Sequence, residues 1–242
     1  MDTLFWAQCS PNITVEHTSK KYYNKYLYKI VVYCPAGRLI DSKGPMDQEL
    51  ENRKGIYKHI SSSFIQTGWW GHRHSRDLVH ADISLLDTLR TIRKTAINIK
   101  LRVEEPRIQI YAENEEDLMK LVTDYLQPYS KNIEAFAGPM DESAAEILNS
   151  GAIIRRTNNG YSHKVILRDG RYGADIKETI LKYLEDLQIE TVGIPRSCRA
   201  MFTKSSSYVW NCYFYTNDPS VTIFLNLIQP GLVSNCHELV IA

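Results

Sequence analysis

The sequence predicts an α+β fold built from two tandem βαββαβ units, the first carrying a long insertion after its first strand. Three observations lead there. Aromatic and β-branched runs alternate with period two, other stretches carry apolar residues three and four apart, and one element order recurs in both halves. The 242 residues suffice for two small cores. At 43% hydrophobic and 24% charged, the chain has enough apolar surface to offset the entropy of ordering it, which excludes disorder and collagen-like repeats.

In the first half, Tyr26 to Cys34 (YLYKIVVYC) reads as a strand ended by Pro35-Ala36-Gly37. Leu85, Leu89, Ile92 and Ala96 share one face of a helix, which leaves Arg90, Arg93 and Lys94 towards solvent. Asn98 to Glu104 and Arg107 to Ala112 alternate on either side of Glu105-Pro106, as the arms of a hairpin do. Asn114 caps a helix over Glu115 to Leu126, whose first turn holds Glu115, Glu116 and Asp117 at the positive end of the dipole. Ile133 to Ala137 closes the unit. The order β-α-β-β-α-β is the split βαβ arrangement of ferredoxin-like domains.

The second half repeats it. Ser162 to Arg168 is a strand, and Asp175 with Glu178 opens a helix whose Ile176, Ile180, Leu184 and Leu187 share a face. Thr191 to Ile194 and Tyr208 to Tyr215 are strands separated by a loop, Pro195 to Ser207. Asp218-Pro219 starts a helix, Pro230-Gly231 stops it, and His237 to Ile241 is the last strand. Two features fall outside the repeat. Asn158-Asn159-Gly160 is a hairpin signal that adds one strand, Ala152 to Thr157, and residues 35–84 form the insertion, far longer than the usual ~2–6-residue connection. The expected division is a first unit over 1–139, a linker helix over 140–151 and a second unit over 152–242.

Five cysteines without a CxxC pair read as reduced thiols in a cytoplasmic protein. No apolar run approaches the roughly 20 residues that span a bilayer, and the start lacks a signal-peptide pattern, so no membrane partner is expected. The net charge of +1 hides an asymmetry: residues 1–110 hold 17 Lys and Arg against 11 Asp and Glu, whereas residues 111–150 hold 2 against 9. The basic first part suits a polyanion.

The densest polar cluster lies in the insertion, where Trp69, Trp70, His72, Arg73, His74, Arg76, Asp77, His80 and Asp82 crowd together. Imidazole and carboxylate are donors for zinc, manganese or iron, and the spacing H-x-H-x-x-D-x-x-H gathers five candidate ligands: His72, His74, Asp77, His80 and Asp82. The His72-Arg73-His74 run resembles the His-hydrophobic-His pair of the HUH replication endonucleases, which are built on a ferredoxin-like sheet. That resemblance implies a metal shared by the two histidines and a helix tyrosine attacking phosphate. Here Arg73 replaces the hydrophobic residue, and Tyr125 and Tyr183 lie on helices outside a catalytic motif. The same residues fit an ordinary polar surface loop, and no catalytic residue is assigned. The segment Phe214 to Val233 resembles uncharacterised open reading frames of tailed phages.

A second feature is Lys20-Lys21-Tyr22-Tyr23-Asn24-Lys25-Tyr26-Leu27-Tyr28-Lys29, where lysines suit phosphates and tyrosine rings suit stacked bases, worth about 1–3 kcal/mol per base. Single-stranded RNA is read this way on the face of a four-stranded sheet, although the RRM signature is absent here. A third is the loop that holds Arg196, Arg199 and Lys204. The expectation is a binding protein for single-stranded RNA or DNA. Lys20, Lys21, Lys25, Arg73, Arg76, Arg90, Arg93, Lys94, Arg196, Arg199 and Lys204 would face phosphates, and Tyr22, Tyr23, Trp69 and Trp70 would stack. The alternatives are a metal-dependent phosphodiesterase or nuclease using the histidine cluster and a protein-interaction module, for which a homo-oligomer is one form. No cofactor is expected beyond a divalent metal in the nuclease reading. Phosphate-loop, GxSxG and HExxH motifs do not occur.

Overall fold

The computed structural model describes residues 2–10, 12–54, 81–104, 106–205 and 208–241. It is a mixed α+β structure with two five-stranded mixed sheets, and it divides into two compact units, Met1–Ala145 and Glu146–Ala242. Among the described residues no helix is long and apolar enough to cross a membrane.

The first unit opens with helix α1 (Thr3–Cys9), whose start is fixed by the Asp2 carboxylate accepting from Phe5 N at 3.0 Å. Strand β1 (Thr14–His17) follows, then β2 (Tyr28–Tyr33), a 3₁₀ turn at Gly37–Asp41, and a helical stretch at residues 46–54. Helix α2 (Ile83–Thr95) leads to the hairpin of β3 (Ile99–Glu104) and β4 (Arg107–Ala112). Helix α3 (Glu115–Leu121) continues through a π turn to Leu126, and β5 (Ile133–Gly138) ends the sheet. The strand order is β1-β5-β2-β4-β3, with β1 parallel to β5 and every other pairing antiparallel.

One sheet face packs on the helices. Ile30, Val32, Ile108, Ile110 and Phe136 meet Leu85, Leu86, Leu89 and Ile92 of α2 and Leu118 and Leu121 of α3, all buried. Trp6 of α1 is fully buried in the same core, its ring stacked on Phe136 at 3.9 Å and its Nε1 donating to Glu115 Oε1 at 2.8 Å. The other face, turned away from α2 and α3, is called the outer face below.

The second unit contains the rest of helix α4 (Glu142–Asn149), then β6 (Ile153–Arg155), β7 (His163–Leu167), the two-residue β8 (Gly170–Arg171) and α5 (Ala174–Asp186). After these come β9 (Val192–Gly193), α6 (Arg196–Thr203), β10 (Tyr208–Val209), β11 (Tyr213–Thr216), α7 (Val221–Ile228) and β12 (Val233–Ile241). The sheet order is β6-β12-β7-β11-β9, again with a parallel pair, β6 and β12, at one edge. Val165, Leu167 and Phe214 pack on Ile180 and Leu184 of α5 and Val221 and Leu225 of α7.

Four expectations need correction. The Asn158-Asn159-Gly160 turn forms, with Gly160 at φ 82° and its N–H bonded to Asn158 Oδ1, but it does not join neighbouring strands. β12 lies between β6 and β7, because the last strand of the unit inserts there. The expected strand over Tyr208 to Tyr215 breaks at Asn211, whose φ of 51° turns the chain; β10 leaves to pair with β8, and only β11 stays in the main sheet. The Pro195 to Ser207 loop contains α6, whose Cys198 and Phe202 are buried one turn apart. Finally, α5 begins two residues earlier than a cap at Asp175 suggests, with Gly173 at the cap position.

Candidate nucleic-acid interface

Residues 18–27 form a loop that leaves β1 and returns into β2. Its base is tied down: Thr18 N donates to Gly138 O, Thr18 Oγ1 to Leu27 O, and Leu27 N to Ala112 O. At its tip, Tyr22 and Tyr26 exchange both backbone hydrogen bonds, while Tyr23 and Asn24 hold φ of 55° and 57°. A tyrosine in the left-handed region is strained, so something must hold it there. Its ring lies edge-on against Tyr111 of β4 at 5.2 Å, and its hydroxyl accepts from Arg102 Nη1 at 3.0 Å.

The loop thus lays Tyr22, Tyr23 and Tyr26 around Tyr111, which is only 3% exposed, whereas Tyr23 remains 43% exposed. Strand register sets the surrounding charge. Lys29 of β2, Tyr111 of β4 and Lys100 of β3 form one row across the sheet. The Lys29 ammonium stands 5.1 Å from the Tyr22 ring centre and that of Lys100 stands 3.5 Å from the Tyr23 ring centre. Burial first, then the neighbouring Tyr23, pushes the Tyr111 phenol well above the usual tyrosine range, so it stays neutral and donates to Gln109 Oε1. Gln109 in turn donates to Glu104 Oε2 at 2.6 Å, and Arg102 pairs with Glu104 Oε1 at 2.7 Å. Beside this cluster a groove of about 610 Å³ runs over β1, β5, β2 and β4, with Lys29, Val31 and Gln109 in its floor and the Arg107–Glu134 ion pair at its side.

The expected contact residues do not all gather here. Lys20, Lys21, Tyr22, Tyr23 and Lys25 belong to the loop, although Lys25 is 2.8 Å from Glu113 and Lys20 is half-buried, which lowers its pKa through desolvation. Arg90, Arg93 and Lys94 sit on α2, across the sheet from the tyrosines. Arg90 does not face solvent as the helical wheel implies. Its guanidinium donates to Gly44 O, Leu39 O and Ser42 Oγ at 3.0, 3.3 and 2.7 Å, and its side chain is 13% exposed. It therefore anchors the beginning of the insertion. Arg93 pairs with Asp41 at 2.5 Å.

In the second unit, Arg196 is exposed at the start of α6, Arg199 is ion-paired with Glu185, and Lys204 follows the helix, offering its carbonyl to the buried Lys177. Arg196 and Arg199 are helix positions and Lys204 is the residue that ends the helix, in place of the expected open loop. Trp69, Trp70, His72, Arg73, His74, Arg76, Asp77 and His80 lie outside the described residues. Asp82 is described, and its carboxylate caps α2 by accepting from Leu85 N at 3.1 Å. Among the described residues no group of three or more His, Cys, Asp or Glu could hold a metal ion.

Sequence reasoning missed Lys100, Arg102 and Tyr111 on the first sheet, because only the register brings them, with Lys29, under the loop. It also missed the outer face of the second sheet. There Tyr161 stacks on Tyr215 at 6.0 Å with ring planes 17° apart, Lys164 Nζ stands 3.8 Å from the Tyr213 ring centre, and Arg155 lies 5.3 Å from that of Tyr215. Compared with known proteins, the chain matches no protein-family model, no curated protein and no solved structure.

Proposed function

We propose that this chain binds single-stranded nucleic acid on the outer face of its first sheet, and that each unit is a ferredoxin-like domain. The frame supports the second part. Without β1, the first sheet has its four strands in the order fourth-first-third-second, all antiparallel; without β6, the second has the same order. The single observation that carries the first part is the row Lys29–Tyr111–Lys100 under the tyrosine loop. Ring planes backed by ammonium groups offer a base something to stack on and a phosphate something to pair with. A partner with neither flat rings nor negative charge would use little of it.

Fluorescence anisotropy with labelled single-stranded RNA and DNA at low and moderate salt tests this reading. The expected outcome is affinity that falls as salt rises, weakened about tenfold or more by Lys29→Glu and by Lys100→Glu, with Arg90→Ala binding like the wild type. Binding that ignores salt and both reversals would sink it. Running the same mixtures with manganese on denaturing gels reads the nuclease alternative, since cleavage lost in His72→Ala and His74→Ala would assign the insertion a catalytic role.

A further inference from the structure

The two sheets agree beyond their strand order. In the first, β5 carries one extra residue: Val32 opposes Ile133 and Val31 opposes Ala135, so Glu134 bulges out. In the second, Leu167 opposes Val233 and Ile166 opposes Asn235, so Ser234 bulges out of β12 at the matching step. The bulges align β2 with β7 residue by residue, and the hydrogen-bonded partners then align β4 with β11 and β3 with β9. On this alignment Lys29 matches Lys164 and Tyr111 matches Tyr215, the only identical pairs among the described strand residues so matched. Core positions differ, Ile30 against Val165 and Ile110 against Phe214.

The loop residue that covers the row matches too. Tyr26 lies three residues before Lys29 and Tyr161 three before Lys164. The Tyr26 ring is 6.2 Å from Tyr111, and the Tyr161 ring is 6.0 Å from Tyr215. Packing alone requires apolar character at the core positions; it does not require the same lysine and the same two tyrosines on the other face. Gly193 occupies the place of Lys100 in the second row, and a side chain there would come within 2.6 Å of the Tyr161 ring. Arg155 of β6 supplies a cation at Tyr215. A groove of about 700 Å³, within the range of ~300–1,000 Å³ that takes small ligands, borders Tyr161, Tyr213, Tyr215, Gly193 and Ile194.

We infer that Tyr161, Lys164 and Tyr215 form a second nucleotide-binding station, equivalent to the one on the first sheet, so that each chain takes two segments of single strand. A base stacks on the Tyr161–Tyr215 pair, and Lys164 and Arg155 meet the flanking phosphates. The inference rests on the reading of the first sheet, and the groove differs in place, bordering β11, β9 and α5 here but β1, β5, β2 and β4 there.

Stoichiometry separates the two readings. The full chain is titrated by calorimetry with an oligouridylate of roughly five nucleotides, about the length one small domain covers. Two molecules per chain are expected, falling to one in Lys164→Glu and to one in Lys29→Glu. Photocrosslinking of the wild type, with peptide mapping, should mark Tyr161 or Tyr215 as well as Tyr23, which does not depend on any variant folding. One molecule per chain with crosslinks confined to the Tyr23 loop would overturn the second station and leave the first standing. No binding by the wild type would overturn both.

Discussion

Arg90 carries the sharpest lesson at the scale of single residues. On a helical wheel it shares the solvent side with Arg93 and Lys94, yet its guanidinium satisfies two backbone carbonyls and a hydroxyl of residues 39–44. Arg90→Ala should remove the three hydrogen bonds that tie residues 39–44 to α2 and cost about 1–3 kcal/mol in urea unfolding; a variant as stable as the wild type would contradict the anchoring role. Gly193 makes the reverse case, a residue whose importance lies in having no side chain. Gly193→Ala should push Tyr161 off Tyr215 and alter the near-ultraviolet circular dichroism while leaving the far-ultraviolet spectrum in place. An unchanged aromatic signal would show that the rings adjust around the added methyl. The basic-aromatic character of residues 20–26 was legible from composition, but the tyrosine cluster was not. Its centre, Tyr111, is distant in sequence and arrives only through strand pairing.

Elements were legible where periodicity was long. Helix α2 and the β3–β4 hairpin follow from apolar spacing alone. Helix α6 was obscured because only Cys198 and Phe202 are buried, with Met201 partly so, among serine and arginine neighbours, although Pro195 before it is a start signal. Strand β1, four residues with a mostly exposed pattern, leaves almost no trace in sequence, since its hold comes from backbone bonds to β5. Short elements such as α1 depend on one anchor. Trp6→Ala should cost about 3–5 kcal/mol through the lost stack on Phe136. Trp6→Phe, which keeps a ring and loses only the bond to Glu115, should cost less, and denaturant midpoints for the pair test that order.

For the whole molecule, topology exceeded what the sequence displayed. The repeated element order and the added strand of the second unit could be read, but the parallel pairing of that strand with β12, and β1 altogether, could not, because the last strand of each unit separates two that follow one another in the chain. Burial pushes up the phenols of Tyr28, Tyr111, Tyr172, Tyr183 and Tyr213. The unfolded chain ionises near pH ~10, so the fold keeps its full stability below that pH and loses it as pH rises further, when only the unfolded state readily releases these protons. Unfolding midpoints should drop together with the rise of phenolate absorbance; smooth titration of all fifteen tyrosines with unchanged secondary structure would contradict it. The bulge at Glu134 sets a different kind of constraint. Ile133 and Phe136 both reach the core only because one residue between them shifts the alternation, as a rest shifts a beat. Many side chains would serve at position 134, but removing the residue would turn the rest of β5 inside out. Drift in length, more than drift in spelling, is what this strand forbids.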